Sequence, residues 1–118
     1  MEPRRILGLA GEHVAERELE RHGFRVVARN VRTRFGEIDL VCRDRRGYAF
    51  VEVKTRRAGS FVAAAEAVDA RKAARLAMLA QAWLAHRDER EAVWRIVIAA
   101  LTVDADGTRV ELVELDRS

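Results

Sequence analysis

The sequence predicts an α/β fold in which a mixed sheet carries helices on both faces, with elements in the order α-β-β-β-α-β-β. Three observations predict it. Apolar residues recur at helical spacing in two stretches, and they alternate or run in short blocks in five others. Between the third and fourth blocks lies enough chain for a long helix, which forces a crossover and hence a parallel pairing there. The 118 residues suffice for one unit with a real core and are too few for two comfortable ones. No internal repeat, low-complexity tract or Gly/Ser/Pro-rich linker divides them, so residues 1–118 read as one domain.

The first helix runs from about Ile6 to His22. Leu9, Val14, Ala15 and Leu19 mark its buried stripe, and Gly23 closes it as a glycine just past a helix end does. Glu12 lies on one side with Ala15, Glu16 and Leu19, at the border of that stripe. It is either an ordinary exposed helix acid, like Glu18 and Glu20, or a group that reaches a site on the sheet.

Phe24 to Asn30 reads as the first strand. The stretch "GEIDLVCRDRRGYAFVEVKT", Gly36 to Thr55, reads as an antiparallel hairpin whose turn is Asp44, Arg45, Arg46 and Gly47. In either loop register position 43 lies opposite 48. Counting outward sets Asp39 opposite Glu52 and Glu37 opposite Lys54, all four on one face. Directly opposed Cβ atoms stand about 4.5–5.5 Å apart, where like charges destabilise unless something lies between them. Such a cluster on a half-buried face points to a divalent cation or a perturbed acid–base site. The alternative is a solvated hairpin end, where the same charges cost little.

After Thr55, "RRAGSFVAAAE" reads as a loop and short turn, and Asp69 as the N-cap of a helix reaching about His86. Leu76, Leu79, Ala80 and Trp83 are its core stripe. Lys72 lies one turn earlier on the same side, placed either to reach a phosphate or to snorkel at the surface. Val93 to Val103 and Thr108 to Leu115 are the last strands, joined by the Asp-Gly turn signal of "DADG".

Charge narrows the chemistry. Residues 21 to 57 hold eleven Arg/Lys against four Asp/Glu, whereas residues 1–20 and 58–118 are each net −2. A basic surface around a few acids suits a protein acting on a polyanion, although an arginine-rich composition can cluster by chance. Of the 22 basic residues 20 are arginine, so Lys54 and Lys72 stand out as compact, rotatable ammoniums. The single cysteine, Cys42, falls among core positions and excludes an internal disulfide. His13, His22 and His86 lack metal-ligand spacing, which argues against zinc. The longest apolar runs, such as Ile96 to Val103, are too short for a membrane span, and "MEPRRILGLAGEH" is too short in apolar residues for a signal peptide. A cytoplasmic location is expected.

"GEHVAERELERHGFRVVARN", then "GEIDLV", "FVEVKTR", "EAV" and a lysine-bearing helix resemble the YraN-like family of small bacterial proteins across nearly the whole chain. That family is identified as a member of the PD-(D/E)XK, or restriction-endonuclease-like, nuclease superfamily and is similar to archaeal Holliday-junction resolvases. The resemblance implies an α-β-β-β-α-β core and a signature of Asp39 followed by Glu52-Val53-Lys54. It implies Mg²⁺ or Mn²⁺ held by Asp39, Glu52 and the Val53 carbonyl, with Glu12 adding an acid through water and Lys54 orienting the nucleophile or steadying phosphoryl charge. Arg32, Arg34, Arg56, Arg57 and Lys72 are the expected nucleic-acid contacts. Two departures stand out: Val97 occupies a place where an Asp is expected, and Val62 one where Gly is usual.

The expectation is a metal-dependent endonuclease acting on DNA by shape or end rather than by sequence. Its rival is a non-catalytic nucleic-acid-binding protein that retains the fold, and RNA is a third substrate to test. A homodimer is suggested only by analogy with the resolvases.

Overall fold

The computed structural model describes residues 3–59 and 70–115, with side chains of the first helix described from Gly11 onward. The elements follow the expected order: α1 (Pro3–Arg21), β1 (Arg25–Thr33), β2 (Gly36–Asp44), β3 (Gly47–Arg57), α2 (Ala70–His86), β4 (Trp94–Asp104) and β5 (Gly107–Glu114). The five strands form one sheet in the order β1-β2-β3-β4-β5. The first three make an antiparallel meander, β3 and β4 pair in parallel from Tyr48–Trp94 to Arg57–Val103, and β5 returns antiparallel to β4. This is the mixed sheet, in the order α-β-β-β-α-β-β, that the sequence predicts.

Each helix takes one face of the sheet. Ala15 and Leu19 of α1 pack on Leu40, Cys42, Ala49, Val51, Val97, Ala99 and Leu101. On the other face Leu79, Ala80 and Leu84 of α2 pack on Ile38, Val41, Tyr48 and Phe50, and Leu76 packs on Ile96, Ile98 and Ala100. Phe50 is completely buried and lies edge-on to Trp83 and Trp94, with centroids 5.7 and 6.0 Å away. Burying such a side chain stabilises the fold by about 1.5–3 kcal/mol. Leu84 is a buried member of the α2 stripe, whereas Trp83 is only partly buried.

Gly23 ends α1 as expected. At φ +89° it lets its own N–H reach the Glu20 carbonyl at 3.0 Å and the Phe24 N–H reach that of Leu19 at 3.1 Å. Gly11 serves a different end. A Cβ there would stand 3.0 Å from Thr55 Oγ1, so the missing side chain lets α1 lie close on β3 and carries Glu12 down to the sheet.

Three expectations need correction. α1 begins three residues before Ile6, with Pro3 in the first turn where its missing N–H costs nothing. β1 runs to Thr33 rather than ending at Asn30, because a register shift between Val26 and Ala28 and a left-handed Asn30 (φ +49°) re-aim the strand without stopping its pairing to β2. The β2–β3 ladder, paired 43 to 48 as counted, stops at Leu40–Val51, short of the expected 39–52 and 37–54 pairs. The expected cap at Asp69 and the departure at Val62 lie outside the described residues.

Candidate functional site

The end of that ladder makes the site. Past Leu40–Val51 the two strands part, and the Asp39 carboxylate accepts the Val53 N–H at 2.7 Å. The opening changes which way the residues before Asp39 face. Ile38 packs in the α2 cluster, and a Cβ on Gly36 would lie 3.2 Å from Leu79 of α2. Alternation therefore turns Glu37 toward α1, away from the face assigned to it by counting. Its charge is felt there by Glu12, and its carboxylate lies 3.9 Å from Arg32.

Asp39 thus sits in a seam reached from both layers. Glu12, Glu37 and Glu52 are all near enough for their charges to act on it. Burial, and then those three acids, push its carboxyl up to about 7 against the opposing pull of the Val53 N–H. Glu12 is raised as well, by burial and by Glu37, while a hydrogen bond from Asn30 resists. Nothing in the sequence reading singled out Asn30. A polar residue at a strand end, of a type that tolerates left-handed backbone, is the signal that could have found it.

Glu52 is nine-tenths buried and meets both lysines of the chain. Its Oε1 lies 3.3 Å from Lys54 Nζ and 2.9 Å from Lys72 Nζ. Burial and the neighbouring Lys72 lower the Lys54 ammonium's pKa. For Lys72 burial pulls downward too, but its contact with Glu52 and the charges of Glu52 and Asp39 outweigh it, so its pKa is raised. Lys72, expected among the contacts to nucleic acid, has its ammonium on Glu52.

The remaining expected residues lie around this cluster. Arg32 lies next to the end of β1, and Arg34 stands exposed in the β1–β2 turn. Arg56 and Arg57 continue β3 beyond Lys54 and pair across to Thr102 and Val103 of β4. Arg56 is half-buried and Arg57 exposed.

Hard carboxylate oxygens from Asp39 and Glu52, with Glu12 behind them, are the donor type that Mg²⁺ and Mn²⁺ take. As they stand, no three Asp, Glu, His or Cys side chains among the described residues converge on one point. Glu12 would therefore act through water, as the sequence suggests, and Glu52 would share its oxygen between the ion and the lysines. The chemistry of these donors is compatible with such an ion, since among the described residues Asp39 is hydrogen-bonded by the Val53 N–H rather than by a cation.

The family scan matches residues 11–114 to the model described as uncharacterised protein family UPF0102. The chain belongs to that family. A UPF0102 protein of Beutenbergia cavernae is 46% identical over 112 residues, covering 94% of this chain and 95% of that protein. Another, of Mycobacterium sp. (strain KMS), is 43% identical over 107 residues, 89% of this chain and 79% of that one. Among solved structures, Pyrococcus furiosus SfsA in complex with Ca²⁺ matches 94% of this chain at a TM-score of 0.45 and 19% identity. This chain spans 62% of that one's length.

Two features of this UPF0102 chain bear on the site. Val97, where an acid is expected, is buried in the α1-side cluster with Leu40 and Val51, so it offers no oxygen to Asp39 or Glu52. Cys42 lies in the same cluster, completely buried, and burial pushes its thiol up to about 12. It is core, as expected. Among the described residues no helix is long and apolar enough to cross a membrane.

Proposed function

We propose that this protein is a Mg²⁺- or Mn²⁺-dependent nuclease that hydrolyses DNA phosphodiester bonds and selects its target by structure or end rather than by sequence. The observation that carries the reading is the parted β2–β3 seam, where Asp39 and the Glu52–Lys54 pair come together with Glu12 behind them. Asp39 and Glu52, with the Val53 carbonyl, would hold the ion. When bound, a dication polarises a phosphate and lowers the pKa of a coordinated water.

The protein's own residues do the rest. Lys54, whose pKa burial lowers, would orient the attacking water or meet charge gathering on the phosphoryl oxygens. Lys72, fixed on the same Glu52 oxygen, holds that carboxylate in place and keeps positive charge over the site. Glu12, whose charge acts on Asp39, would add its acid through a water. Arg32, Arg34, Arg56 and Arg57 on the flanking segments would grip backbone phosphates. The resemblance of the Asp39 and Glu52-Val53-Lys54 motif to PD-(D/E)XK nucleases and the matching element order support the class of reaction; the choice of DNA rests on the basic field around the acids.

One observation favours a second reading. Two ammoniums on one carboxylate oxygen balance Glu52 without any ion, as a nucleic-acid-binding protein that no longer cuts would allow. Cleavage of a four-way junction, a flap, a single strand and a duplex, side by side with Mg²⁺ or Mn²⁺, separates the two. The nuclease reading expects cutting that Asp39→Asn and Lys54→Ala each reduce by about 10²–10³-fold or more while binding survives. Binding indifferent to metal and to both substitutions, with no cutting of any substrate, would leave the second reading standing. An RNA panel under the same conditions tests the choice of DNA.

A further inference from the structure

Phe35 is the one aromatic ring among the described residues that the fold leaves exposed, at 58%. Burying a phenylalanine stabilises a fold, so this position forgoes a stabilisation that the buried rings collect. A lone exposed apolar residue is ordinary on protein surfaces. Val27, Met78 and Val93 are of that kind. Phe35 differs from them in its mounting.

The turn beneath it is tightly held. Thr33 Oγ1 accepts the Phe35 N–H at 3.1 Å and donates to the Gly36 carbonyl at 3.0 Å, closing the turn on itself. Gly36, at φ +149°, seats the turn against α2, where a Cβ would come within 3.2 Å of Leu79 and 3.4 Å of Arg75. The Arg34 guanidinium lies 4.8 Å from the ring centroid. The result is a ring on a hydrogen-bonded turn, backed by the Arg34 guanidinium, with Arg32 and Arg75 exposed on the neighbouring segments and most of its own surface open.

Position matters as much as exposure. Phe35 precedes Asp39 by four residues of nearly continuous strand, a separation of about 13 Å. At a rise of about 3.4 Å per stacked base, a nucleobase on the ring lies roughly four steps from a phosphate at Asp39.

We infer that Phe35 is a stacking platform for one unpaired nucleobase of the DNA, about four nucleotides from the phosphate that a dication on Asp39 and Glu52 would hold, and that it favours branched, flapped or frayed ends over intact duplex. In an intact duplex both faces of each interior base are already stacked, so the ring has nothing to meet. At a flap or fork a base face is free, and aromatic stacking accepts any base. The guanidiniums of Arg32, Arg34 and Arg75 supply the charge that the neighbouring phosphates require. The inference rests on the nucleic-acid reading above but not on catalysis.

The test is binding of the full chain, in metal-free buffer, to a blunt duplex and to the same duplex with a four-nucleotide flap carrying 2-aminopurine. The wild type is expected to bind the flap more tightly and to change the 2-aminopurine fluorescence. Phe35→Leu, which keeps an apolar side chain but no ring, is expected to weaken flap binding by about 5- to 100-fold and to leave duplex binding unchanged, with Phe35→Trp restoring both signals. Equal effects of Phe35→Leu on flap and duplex, or none on either, overturn the inference and leave the nuclease reading intact. So does a change in oligomeric mass with flap binding unaltered, which would make the ring a contact between copies. A wild type that binds neither DNA defeats the nucleic-acid reading and this inference with it.

Discussion

Asp39 and Asp44 lie five residues apart on the same strand, and the fold treats them in opposite ways. At the turn, Asp44 closes the structure. Its Oδ1 accepts the N–H groups of Arg46 and Gly47 at 2.9 and 3.2 Å, and its Oδ2 takes Arg95 Nη2 at 2.6 Å. Burial pushes its pKa upward, but these partners win and lower it. At the other end Asp39 has one backbone N–H, three acids around it and a raised pKa. Both ends lie partly out of water, so the difference is in partners. Where a fold needs a carboxylate for structure it supplies a cation; where it leaves one short of positive charge, that deficit is available to a ligand.

The largest effect should come from breaking the closed end. Arg95 is 5% exposed, and removing a buried partner from an ion pair costs about 3–5 kcal/mol, since the remaining charge is left uncompensated. Arg95→Met keeps most of the volume and deletes the charge. It is expected to destabilise by about 3 kcal/mol in urea unfolding at pH 7. One Arg95 nitrogen, Nη1, is buried with no hydrogen-bond partner among the described residues, which places the loss at the lower end of that range. The pH dependence has a definite sign. Asp44 ionises at a lower pH folded than unfolded, so its stabilisation is present above the ordinary value of 3.8 and is lost as pH falls through the lowered one. In Arg95→Met that acid-side loss should shrink.

A ligand should act at the open end with a smaller but switchable effect. A dication binding only the folded protein stabilises it by about 2.7 kcal/mol at a hundred times its dissociation constant. The gain requires Asp39 to give up its proton. Mn²⁺ should therefore raise the melting temperature by several degrees at pH 8 and by much less at pH 5.5, and Asp39→Asn should remove the difference. A shift of equal size at both pH values would mean that the ion binds elsewhere.

Without metal, the same group predicts the reverse of the Asp44 behaviour. The unfolded chain loses the Asp39 proton near pH 3.8, whereas the folded chain keeps it to about 7. Stability contributed at low pH is thus lost as pH rises through that window. Asp39→Asn keeps an acceptor for the Val53 N–H and removes the charge. At pH 8 it should stabilise the metal-free protein on the order of 2 kcal/mol, given about 1.4 kcal/mol per pKa unit and partial relief by solvent. Chemical unfolding at pH 5 and pH 8 checks both the size and the slope.

The contrast also marks what a sequence can disclose. The Asp44 end was legible, because an Asp-Arg-Arg-Gly turn fixes pairing locally and position 43 does lie opposite 48. The order of elements was legible for a similar reason: helical and strand periodicities are properties of short windows. The opening after Leu40 was not, since it depends on an Asp39 side chain replacing a ladder hydrogen bond, and counting assumes that the ladder continues. Glu37 was misplaced by that assumption. Arg95 at the head of an apolar strand gave no hint of its partner, which lies 51 residues away in sequence. The scarcity of lysine did point to something real, in that the only two lysines meet on one oxygen of Glu52. Sequence could isolate them, but only the packing of α2 against the sheet could bring them together.

The smallest effect on folding, and the finest distinction between the two ends, should come from exposed arginines. Arg34 lies in the turn that leads into Asp39, while Arg46 lies in the opposite turn, 3.5 Å from Glu114 and 67% exposed. Substituting either by alanine should change stability by less than about 0.5 kcal/mol, because exposed charges are screened and mobile. Their effects on nucleic-acid binding should part. Each phosphate contact contributes about 0.9 to the slope of log affinity against log salt on duplex DNA. Arg34→Ala should lower the slope by about that amount, and Arg46→Ala, already partnered by Glu114 and about 17 Å of strand from Asp39, should leave it unchanged. Titrations from 50 to 300 mM salt measure both. If Arg46 moves the slope as much as Arg34 does, the DNA runs along the whole hairpin, and the functional difference between its two ends disappears.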